Sequence, residues 1–471
     1  MGQNMERTKR SGYDLTQGPI LQTMLVYAVP ILVSALIQYL YNVFDTAMVG
    51  KWLGETQMAA VNAAGTASGL LTSLIGGFSA GIVVIVGINY GAGNEEGTLR
   101  AVIVSEKLSL FAGVFFTALG VLCAEPLLRV TKVPDECMEY ARTYLYIIVG
   151  CAVVTMFNNA HTNLLRTLGD SRSPVLMLIA SAVINVVLNL LFMLGFNWGV
   201  AGVAVATVIS QLVSAGLALI LFLRHYPQFN FFRKRVGGAT RRIWAEEIKM
   251  AIPMAFQQSM IMLGAVIVQA KVNDMGSSVM AAYATSNSIN NMAGTIINTF
   301  GTVISGFVAQ NFGARSFDRI KKGMGWILGC SWIVSVILGA VLLLCARPIV
   351  GLFLKEWNEA LFLNVQTFLY INVAFYLIWV PVPVLRCAIQ SMHNSLLPFL
   401  SCLVELPMRC VTAWILGEYF GFTGLSFATP CALVASVLFL IVAFFVQWKK
   451  KTKNIAAAEQ VPAEECKENE L

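Results

Sequence analysis

The sequence predicts an all-α polytopic membrane protein with twelve transmembrane helices in two six-helix lobes. Three observations lead to this fold class. Of 471 residues, 57% are hydrophobic and only 12% are charged, whereas soluble chains carry about 25% charged residues. Apolar runs that reach the roughly 20 residues needed to span a bilayer recur along the whole chain. Short segments of the first half also recur in the second half at a nearly constant spacing.

The apolar runs predict the membrane spans one by one. The first run follows a polar, basic N-terminus, and it is too long for the core of a signal peptide, so we interpret it as a retained span. Pro30 and Pro253 lie inside long runs and are natural points of kinking. The twelve predicted spans are 20–48, 58–88, 102–123, 141–164, 174–195, 199–223, 246–269, 280–308, 323–345, 362–385, 396–416 and 421–448.

Lysine and arginine predict the orientation of these spans. With the N-terminus inside the cell, the inside segments hold 24 of the 32 basic residues and the outside segments hold 7, while Arg409 falls within a span. Arg386 is counted here with the inside loop after the tenth span. The excess of positive charge on one side predicts that both termini are cytoplasmic. It also accounts for the net charge of +7 without nucleic acid as a partner.

Four pairs of similar segments indicate an internal repeat. The pairs are AVP at 28–30 with AIP at 251–253, MAAVNA at 58–63 with MAAYAT at 280–285, NYGA at 89–92 with NFGA at 311–314, and GVAGVAVAT at 199–207 with GFTGLSFAT at 421–429. Six predicted spans separate the copies, so both copies have the same orientation. This predicts a parallel repeat related by a pseudo-two-fold axis along the membrane normal.

The longest internal polar stretch divides the spans six and six, and we interpret it as a linker. The predicted organisation is a cytoplasmic N-terminal segment (1–19), an N-terminal six-helix lobe (20–223), a cytoplasmic linker (224–245), a C-terminal six-helix lobe (246–448) and a cytoplasmic tail (449–471).

Several classes of function lack their sequence signals. No G-x-x-x-x-G-K-S/T motif is present, so ATP is not expected to drive this chain. The ten cysteines form no C-x-x-C pair and fall mostly in apolar runs, which indicates small core residues and neither metal nor redox chemistry. No H-E-x-x-H motif or Ser-His-acid order is found. We therefore expect neither an enzyme nor a cofactor.

Four motifs in order resemble those of MATE (multidrug and toxic compound extrusion) transporters of the bacterial type. They are P-x14-D-T-x-M-V-G from Pro30 through Asp45 to Gly50, L-R-x-x-G-D-x-x-x-P at 165–174, N-x-x-x-N at 185–189 and G-V-x-G-x-x-x-A-T at 199–207. The resemblance covers roughly residues 15–450. Each motif alone is loose, but their order and spacing make the match specific.

The resemblance implies two lobes that form a V in the cell (inner) membrane. It implies a monomer that exports organic, often cationic, small molecules by alternating access, in exchange for inward H⁺ or Na⁺. Its coupling site would lie in the N-terminal lobe, and a proline on the first helix would allow that helix to bend. Carried over by motif, the bending residue is Pro30 and the cation-coupling residues are Asp45, Asn163, Asn185, Asn189 and Thr207.

The residues themselves are consistent with that role but leave alternatives. Asn185 and Asn189 are four apart and share a helix face. With Asp45 and Thr207 they offer oxygen ligands that suit H⁺ or a transient Na⁺. The alternatives are ordinary hydrogen bonds between helices, at about 0.6 kcal/mol each, and an interfacial cap for Asp45. Asn158 and Asn159 are alternatives to Asn163. The family commonly has an acid where Asn189 stands, so the coupling ion stays open.

The C-terminal half supplies candidates for a substrate cavity: Glu405, Arg409, Gln257, Asn287 and Asn291. Glu405 and Arg409 are four apart, so they form either a self-neutralised structural pair or a contact to a cationic substrate. The asparagines of the eighth span line a cavity or join helices. The glycines of the second span, at 65, 69, 76, 77 and 81, predict close contacts between helices.

Two other functions remain as alternatives. A lipid-linked glycan flippase of the same superfold would often have more spans or a more basic cavity, and the sequence indicates neither. An intramembrane enzyme would need a second catalytic group near Asp45, such as another acid or a Ser-His pair, which the sequence does not supply.

Overall fold

A computed structural model describes residues 13–130, 133–232, 241–351 and 359–459 of the chain. Within these ranges the chain is almost entirely helical and forms no strand. Residues 1–12, 233–240 and 460–471 of the predicted N-terminal segment, linker and tail lie outside the described residues. The predicted all-α architecture is therefore confirmed.

The first half of the chain forms one six-span lobe. Its helices are α1 (Ile20–Leu53), α2 (Glu55–Ile82), α3 (Val84–Gly91), α4 (Glu95–Val130), α5 (Asp135–Gly150), α6 (Ala152–Thr167), α7 (Ser173–Leu190) and α8 (Gly199–His225). The last turn of the fifth span is a π-helix, Leu191–Gly195. Many large apolar side chains of these helices stay exposed, which suits contact with lipid instead of water.

The second half forms the other lobe. Its helices are α9 (Arg241–Asn273), α10 (Ser277–Gly313), α11 (Phe317–Leu344), α12 (Ala346–Gly351), α13 (Glu359–Ala374), α14 (Tyr376–Trp379), α15 (Pro381–Ser391), α16 (Leu396–Ser426) and α17 (Ala428–Glu459). Ten helices of the whole described chain are long and apolar enough to cross a membrane singly. Two further spans are bent pairs, with a break of 50° between α5 and α6 and of 47° after α13, which gives the predicted twelve.

The backbone repeats the symmetry that the sequence predicts. Gly54 and Gly276 have φ of +86° and +94°, and Gly199 and Gly421 both have φ of +57°. Both pairs are 222 residues apart in the sequence, as are three of the four repeated segments, and the fourth is 223 residues from its copy. Glycine adopts this left-handed conformation without a Cβ penalty. Gly54 and Gly276 directly precede the equivalent helices α2 and α10. Gly199 begins α8, whereas Gly421 lies at a kink inside α16.

The repeated N-x-G-A segments meet at the contact between the lobes. A Cβ on Gly91 would lie 2.0 Å from the carbonyl oxygen of Gln310, and a Cβ on Gly313 would lie 1.9 Å from that of Ile88. Ile88 and Gln310 are themselves repeat partners. The two contacts are therefore equivalent halves of one crossing, which places the pseudo-two-fold axis between α3 and α10.

A second close approach joins α2 of the first lobe to α9 of the second. A Cβ on Gly77 would lie 2.2 Å from the carbonyl oxygen of Met254, and one on Gly81 would lie 2.4 Å from the Cα of Ala251. The prediction of close glycine contacts is confirmed at these two positions. A Cβ on Gly69 would lie 3.0 Å from the end of the Met262 side chain of α9, which is a contact with a flexible side chain. A Cβ on Gly65 or Gly76 would meet no atom within 4 Å, so the prediction is wrong at these two positions.

The segment before α1, residues 13–19, ties the lobes together at the face where α1 begins, and we call it the N-terminal strap. Three hydrogen bonds of the strap are Tyr13 N–H to Gly169 O (3.1 Å), Leu15 N–H to Gln310 Oε1 (3.2 Å) and Asn311 Nδ2 to Leu15 O (3.0 Å). Beside it, Gln310 Nε2 donates to Thr167 O at 2.8 Å. Arg319 also donates to the carbonyls of Leu15, Gln17 and Gly18. The lobes are closed at this face, which we call the N-terminal face.

The structure corrects several span boundaries: the third span, predicted at 102–123, runs from Glu95 to Val130, and the end of the tenth span bears on a cavity. The tenth span was predicted to end at residue 385, with Arg386 in the following loop. Instead α15 continues to Ser391, and Arg386 is buried inside it. The bend after α13 re-aims the helix, so Pro381 and Pro383 stand in its first turn, where proline is tolerated. At the predicted linker and tail, α8 extends to His225, α9 begins at Arg241 and α17 extends to Glu459.

Candidate functional site

Four of the five residues predicted for cation coupling come together between α1, α7 and α8. Asn189 Nδ2 lies 2.6 Å from Asp45 Oδ1 and 2.8 Å from Asn185 Oδ1. Asn185 in turn donates to Thr207 Oγ1 and to Ser210 Oγ, each at 3.4 Å. The helical spacing explains the set, because Asn185 and Asn189 share one face of α7, and Thr207 and Ser210 share one face of α8.

This coupling cluster lies beside water-accessible space. Asn185 and Asn189 are 0% and 1% exposed, whereas Asp45 is half-buried and lines a cavity of about 740 Å³. Asp45 and Arg166 are the charged residues of that lining. Asp45 therefore bonds inward to a neighbouring helix instead of capping the end of α1.

Asn163 lies elsewhere. Its amide donates to Ser79 Oγ at 3.2 Å, and it lines a second cavity between the lobes. Asn158, Asn159 and Thr162 of the same helix instead line the cavity of Asp45. The geometry therefore favours Asn158 and Asn159, the alternatives from the sequence, over Asn163 as residues near Asp45.

Pro30 stands inside α1, which runs as one helix from Ile20 to Leu53. Proline lacks the N–H that would bond to the carbonyl four residues earlier, so the helix is weakened at this turn. The hydroxyl of Ser34 donates to the carbonyl of Pro30 at 2.9 Å. The predicted bending residue therefore lies between Asp45 and the N-terminal face.

A second cavity, of about 400 Å³, lies between the lobes, and we call it the inter-lobe cavity. Glu405, Arg409 and Gln257 line it, as three of the five predicted substrate-cavity residues. Gln257 accepts a hydrogen bond from Gln390 at 2.9 Å. Glu405 binds Arg409 through one carboxylate oxygen at 2.8 Å and Arg386 through the other at 2.9 Å.

Asn287 and Asn291 line neither of these two cavities. They belong to the first half of α10, whereas the cavity-lining polar residues of that helix come later, at Thr295, Asn298, Thr299, Thr302 and Ser305. Asn290, between them, instead accepts a hydrogen bond from Tyr376 at 3.0 Å and joins two helices. This contact fits the alternative in which the asparagines of the eighth span join helices.

Sequence reasoning missed three groups of cavity residues. Ser210 follows Thr207 by three residues, and this helical spacing is a signal that would have found it. Tyr41 and Tyr144 line the cavity of Asp45, and nothing in their sequence context distinguishes them from packing tyrosines. Arg386 was assigned to a loop because the tenth span was predicted to end too early. An ionisable residue within a membrane span is itself a signal of function.

Comparisons with known proteins identify the family of this chain and support its fold. The family model described as MatE matches residues 30–191 and again residues 253–415, in the two halves of the repeat. The probable multidrug resistance protein YoeA of Bacillus subtilis (strain 168) is 27% identical over 449 residues, which are 92% of this chain and 95% of the relative. The FAD transporter of Shewanella oneidensis is 22% identical over 442 residues, 89% of this chain and 93% of the relative.

One solved structure is described as the outward-facing conformation of a multidrug resistance MATE family transporter of the MOP superfamily. It matches with a TM-score of 0.84 over 95% of this chain and 98% of that chain, at 19% identity. At that identity the likeness supports the fold alone. Because the family model covers well over half of the chain in two symmetric matches, the chain belongs to the MATE family of multi-pass membrane transporters, which export small molecules and are not enzymes.

Proposed function

We propose that the chain is a secondary active antiporter that exports a small organic solute in exchange for inward H⁺ or Na⁺. One observation carries this proposal: the carboxylate of Asp45 lines a cavity within the membrane-spanning helices and bonds to Asn189 at 2.6 Å. An ionised carboxylate in this setting is costly unless it is paired. Binding of a proton or Na⁺ removes that cost, so the ion can drive a change of conformation.

The coupling cluster offers a way for the ion to act on the helices. Ionised Asp45 accepts an N–H from Asn189, whose own Oδ1 has no hydrogen-bond partner among the described residues. When Asp45 is neutralised, rotation of this amide presents Oδ1 to the carboxyl O–H or to Na⁺. The contact between α1 and α7 then changes, and α1 can bend at Pro30, where its backbone hydrogen bonding is already interrupted.

The ion must bind the two conformations with different affinity, because otherwise it shifts no equilibrium. We propose that Asp45 loads its ion while the cavity is open away from the N-terminal face. Reorientation then breaks the bonds of the N-terminal strap and releases the ion on the other side. Because one carboxylate lines this cavity and Asn189 replaces the acid common in the family, we infer one monovalent ion per cycle.

We propose that the N-terminal face is cytoplasmic and that both termini lie in the cytoplasm of the cell. The excess of lysine and arginine in the segments that join this face supports the orientation. We also propose a monomer, since side chains of a single chain line both cavities. The relatives named for multidrug resistance and FAD transport support an organic small molecule as cargo. A cationic cargo is not part of this proposal, because three arginines and one glutamate line the inter-lobe cavity.

The flippase alternative gains one supporting observation. The sequence indicated no basic cavity, but Arg166, Arg386 and Arg409 all line the inter-lobe cavity. Against the flippase stand the count of twelve spans and a cavity of about 400 Å³, which suits a small molecule. We therefore keep the antiporter as the function that the geometry supports best.

Flux in proteoliposomes with pH and Na⁺ gradients imposed separately tests the proposal. Wild-type protein should drive solute movement with one gradient and not with the other. Asp45→Asn keeps the size of the side chain but cannot change charge, so it should fold and insert yet lose gradient-driven flux. Asp135→Asn removes an exposed carboxylate at the start of α5 and should behave as wild type. Wild-type flux and ion dependence in Asp45→Asn would reject Asp45 as the coupling group.

A further inference from the structure

The inter-lobe cavity has an unbalanced charge. Its charged lining residues are Arg166 from the first lobe and Arg386, Glu405 and Arg409 from the second. Three guanidinium groups face one carboxylate, which leaves a formal excess of two positive charges. A cavity that selects organic cations would be expected to carry the opposite excess, because like charges at a binding site oppose association.

The single carboxylate is already fully engaged. Each oxygen of Glu405 accepts a hydrogen bond from a different arginine, from Arg409 Nη2 at 2.8 Å and from Arg386 Nη2 at 2.9 Å. Glu405 is 5% exposed and both arginines are 8% exposed, so the group is withdrawn from water. A carboxylate held in this way has little left to offer a cationic solute.

The guanidinium groups keep unused donors. A guanidinium has five N–H donors, and the Nε atoms of Arg166, Arg386 and Arg409 are buried without a hydrogen-bond partner among the described residues. Buried donors are rarely left unpaired. The fork formed by Nε and an Nη matches the two oxygens of a carboxylate or phosphate.

Arg386 adds a second arginine to the pair formed by Glu405 and Arg409. Glu405 and Arg409, one helical turn apart on α16, would neutralise each other. Arg386 lies on α15, a different helix, and adds a positive charge that no second acid among the described lining residues balances. Burying such a charge is unfavourable unless something compensates for it.

We propose that the inter-lobe cavity binds an organic anion, through a carboxylate or phosphate group that contacts Arg386 and Arg409 from one lobe and Arg166 from the other. This inference rests on the proposed function as an exporter and names the class of its cargo. The cavity volume of about 400 Å³ fits a small molecule. Trp379, which is partly exposed, also lines the cavity and offers a ring surface to the body of such a solute.

An anionic cargo has an electrical consequence. When one monovalent cation enters as one monovalent anion leaves, two positive charges move inward in each cycle. When one monovalent cation enters as a monovalent cationic solute leaves, no net charge moves. A negative potential inside should therefore accelerate the export of the anion and leave one-for-one exchange of a cation unaffected.

Binding at equilibrium tests the charge preference without any gradient. The full-length protein in phosphatidylcholine nanodiscs is titrated into carboxyfluorescein, an anion, and into rhodamine 6G, a cation of similar ring size, and fluorescence polarisation is recorded. We expect the anion to bind at least about tenfold more tightly. Equal affinities, or tighter binding of rhodamine 6G, would overturn the proposal.

Single substitutions locate the site. Arg386→Gln leaves the Glu405–Arg409 pair intact, so it should fold and should weaken carboxyfluorescein binding by about tenfold or more. Arg166→Gln, in the other lobe, should weaken it in the same direction, and this variant decides the matter if the first fails to fold. Arg142→Gln removes an arginine at the surface, where it pairs with Glu125, and should bind as wild type. Unchanged binding in a folded Arg386→Gln or Arg166→Gln would refute the assignment.

Two further measurements distinguish a soluble anion from a lipid headgroup as the occupant, and distinguish the anion site from the antiporter function. Inorganic phosphate should compete with the dye if a soluble anion occupies the site, whereas phosphatidylglycerol added to the nanodisc should compete if a lipid headgroup does; competition by the lipid alone would overturn an organic solute as the cargo. Dye binding with no gradient-driven flux of either dye would refute the antiporter but keep the anion site. Gradient-driven flux of rhodamine 6G alone would support the antiporter but refute the anion site.

Discussion

Replacing Gly77 by alanine should push the two lobes apart at the crossing of α2 and α9. The added Cβ would lie 2.2 Å from the carbonyl oxygen of Met254 and 2.7 Å from the Cα of Ala255. Such atoms do not approach within 3.0 Å in real structures, so from 2.2 Å the helices must separate by at least about 0.8 Å. Both contacted atoms belong to the backbone, and no side-chain rotation can relieve the overlap.

A matched substitution at the neighbouring Gly76 isolates the free-energy cost of the overlap at Gly77. Gly76 is on the same helix and a Cβ there would meet nothing within 4 Å. Alanine in place of glycine favours a helix by about 0.5–1 kcal/mol at either position. That gain cancels in the comparison, and the difference in stability between the two variants is the overpacking cost, about 1–3 kcal/mol.

Thermal unfolding of the purified variants in one detergent, followed by tryptophan fluorescence, measures this difference. Gly76→Ala should melt at or above the wild-type temperature and Gly77→Ala clearly below it. Gly69→Ala should lie between them, because its Cβ would meet only the flexible end of the Met262 side chain, at 3.0 Å. If Gly77→Ala is as stable as Gly76→Ala, then α2 and α9 do not approach each other closely at Gly77.

Three further outcomes are expected. Asn189→Asp adds a carboxylate beside Asp45, so the pH and Na⁺ dependence of flux should change; identical profiles would remove Asn189 from the coupling cluster. Arg319→Ala removes donors to the N-terminal strap, so the amide of Leu15 should exchange hydrogen for deuterium faster than in wild type, and unchanged exchange would mean that the strap holds without it. Burial lowers the pKa of His393, in the turn before α16, below 6.5, and nearby Lys451, Lys249 and Arg242 lower it further, against the opposing effect of Glu246. The folded state therefore binds fewer protons than the unfolded state just below pH 6.5, and stability should be full above that pH and fall as the pH drops towards the folded pKa. His393→Asn, which suits the φ of +62°, should reduce this loss between pH 7.5 and 5.5, and an unaltered pH dependence would exclude His393 as its source.

The sequence alone determined the class of the protein, the number of spans and the repeat. These properties are local or periodic: a span needs a certain length of apolar residues, and a repeat needs only similar segments at a constant spacing. The pairing of Asn185 with Asn189 was also predictable, because residues four apart share a helix face whatever surrounds the helix. Their contact with Asp45 could be expected only through the family resemblance.

Tertiary structure decided which face of each helix meets which neighbour. Neighbouring residues of a helix point about 100° apart. Thr162 therefore lines the cavity of Asp45 while Asn163 lines the inter-lobe cavity, and Gly77 meets a backbone while Gly76 meets open space. The hydropathy of one segment carries no information on the rotation of a helix about its axis, which depends on packing against the other helices.

The charge of the inter-lobe cavity depended on tertiary structure most of all. Glu405 and Arg409 are close in sequence, so their pairing was visible and suggested a neutral unit. Arg386 lies 19 residues before Glu405 on another helix, so the packing of α15 against α16 brings it within hydrogen-bonding distance. The net charge of a cavity is a sum over helices that are distant in sequence, and for that reason no single segment of this chain could reveal it.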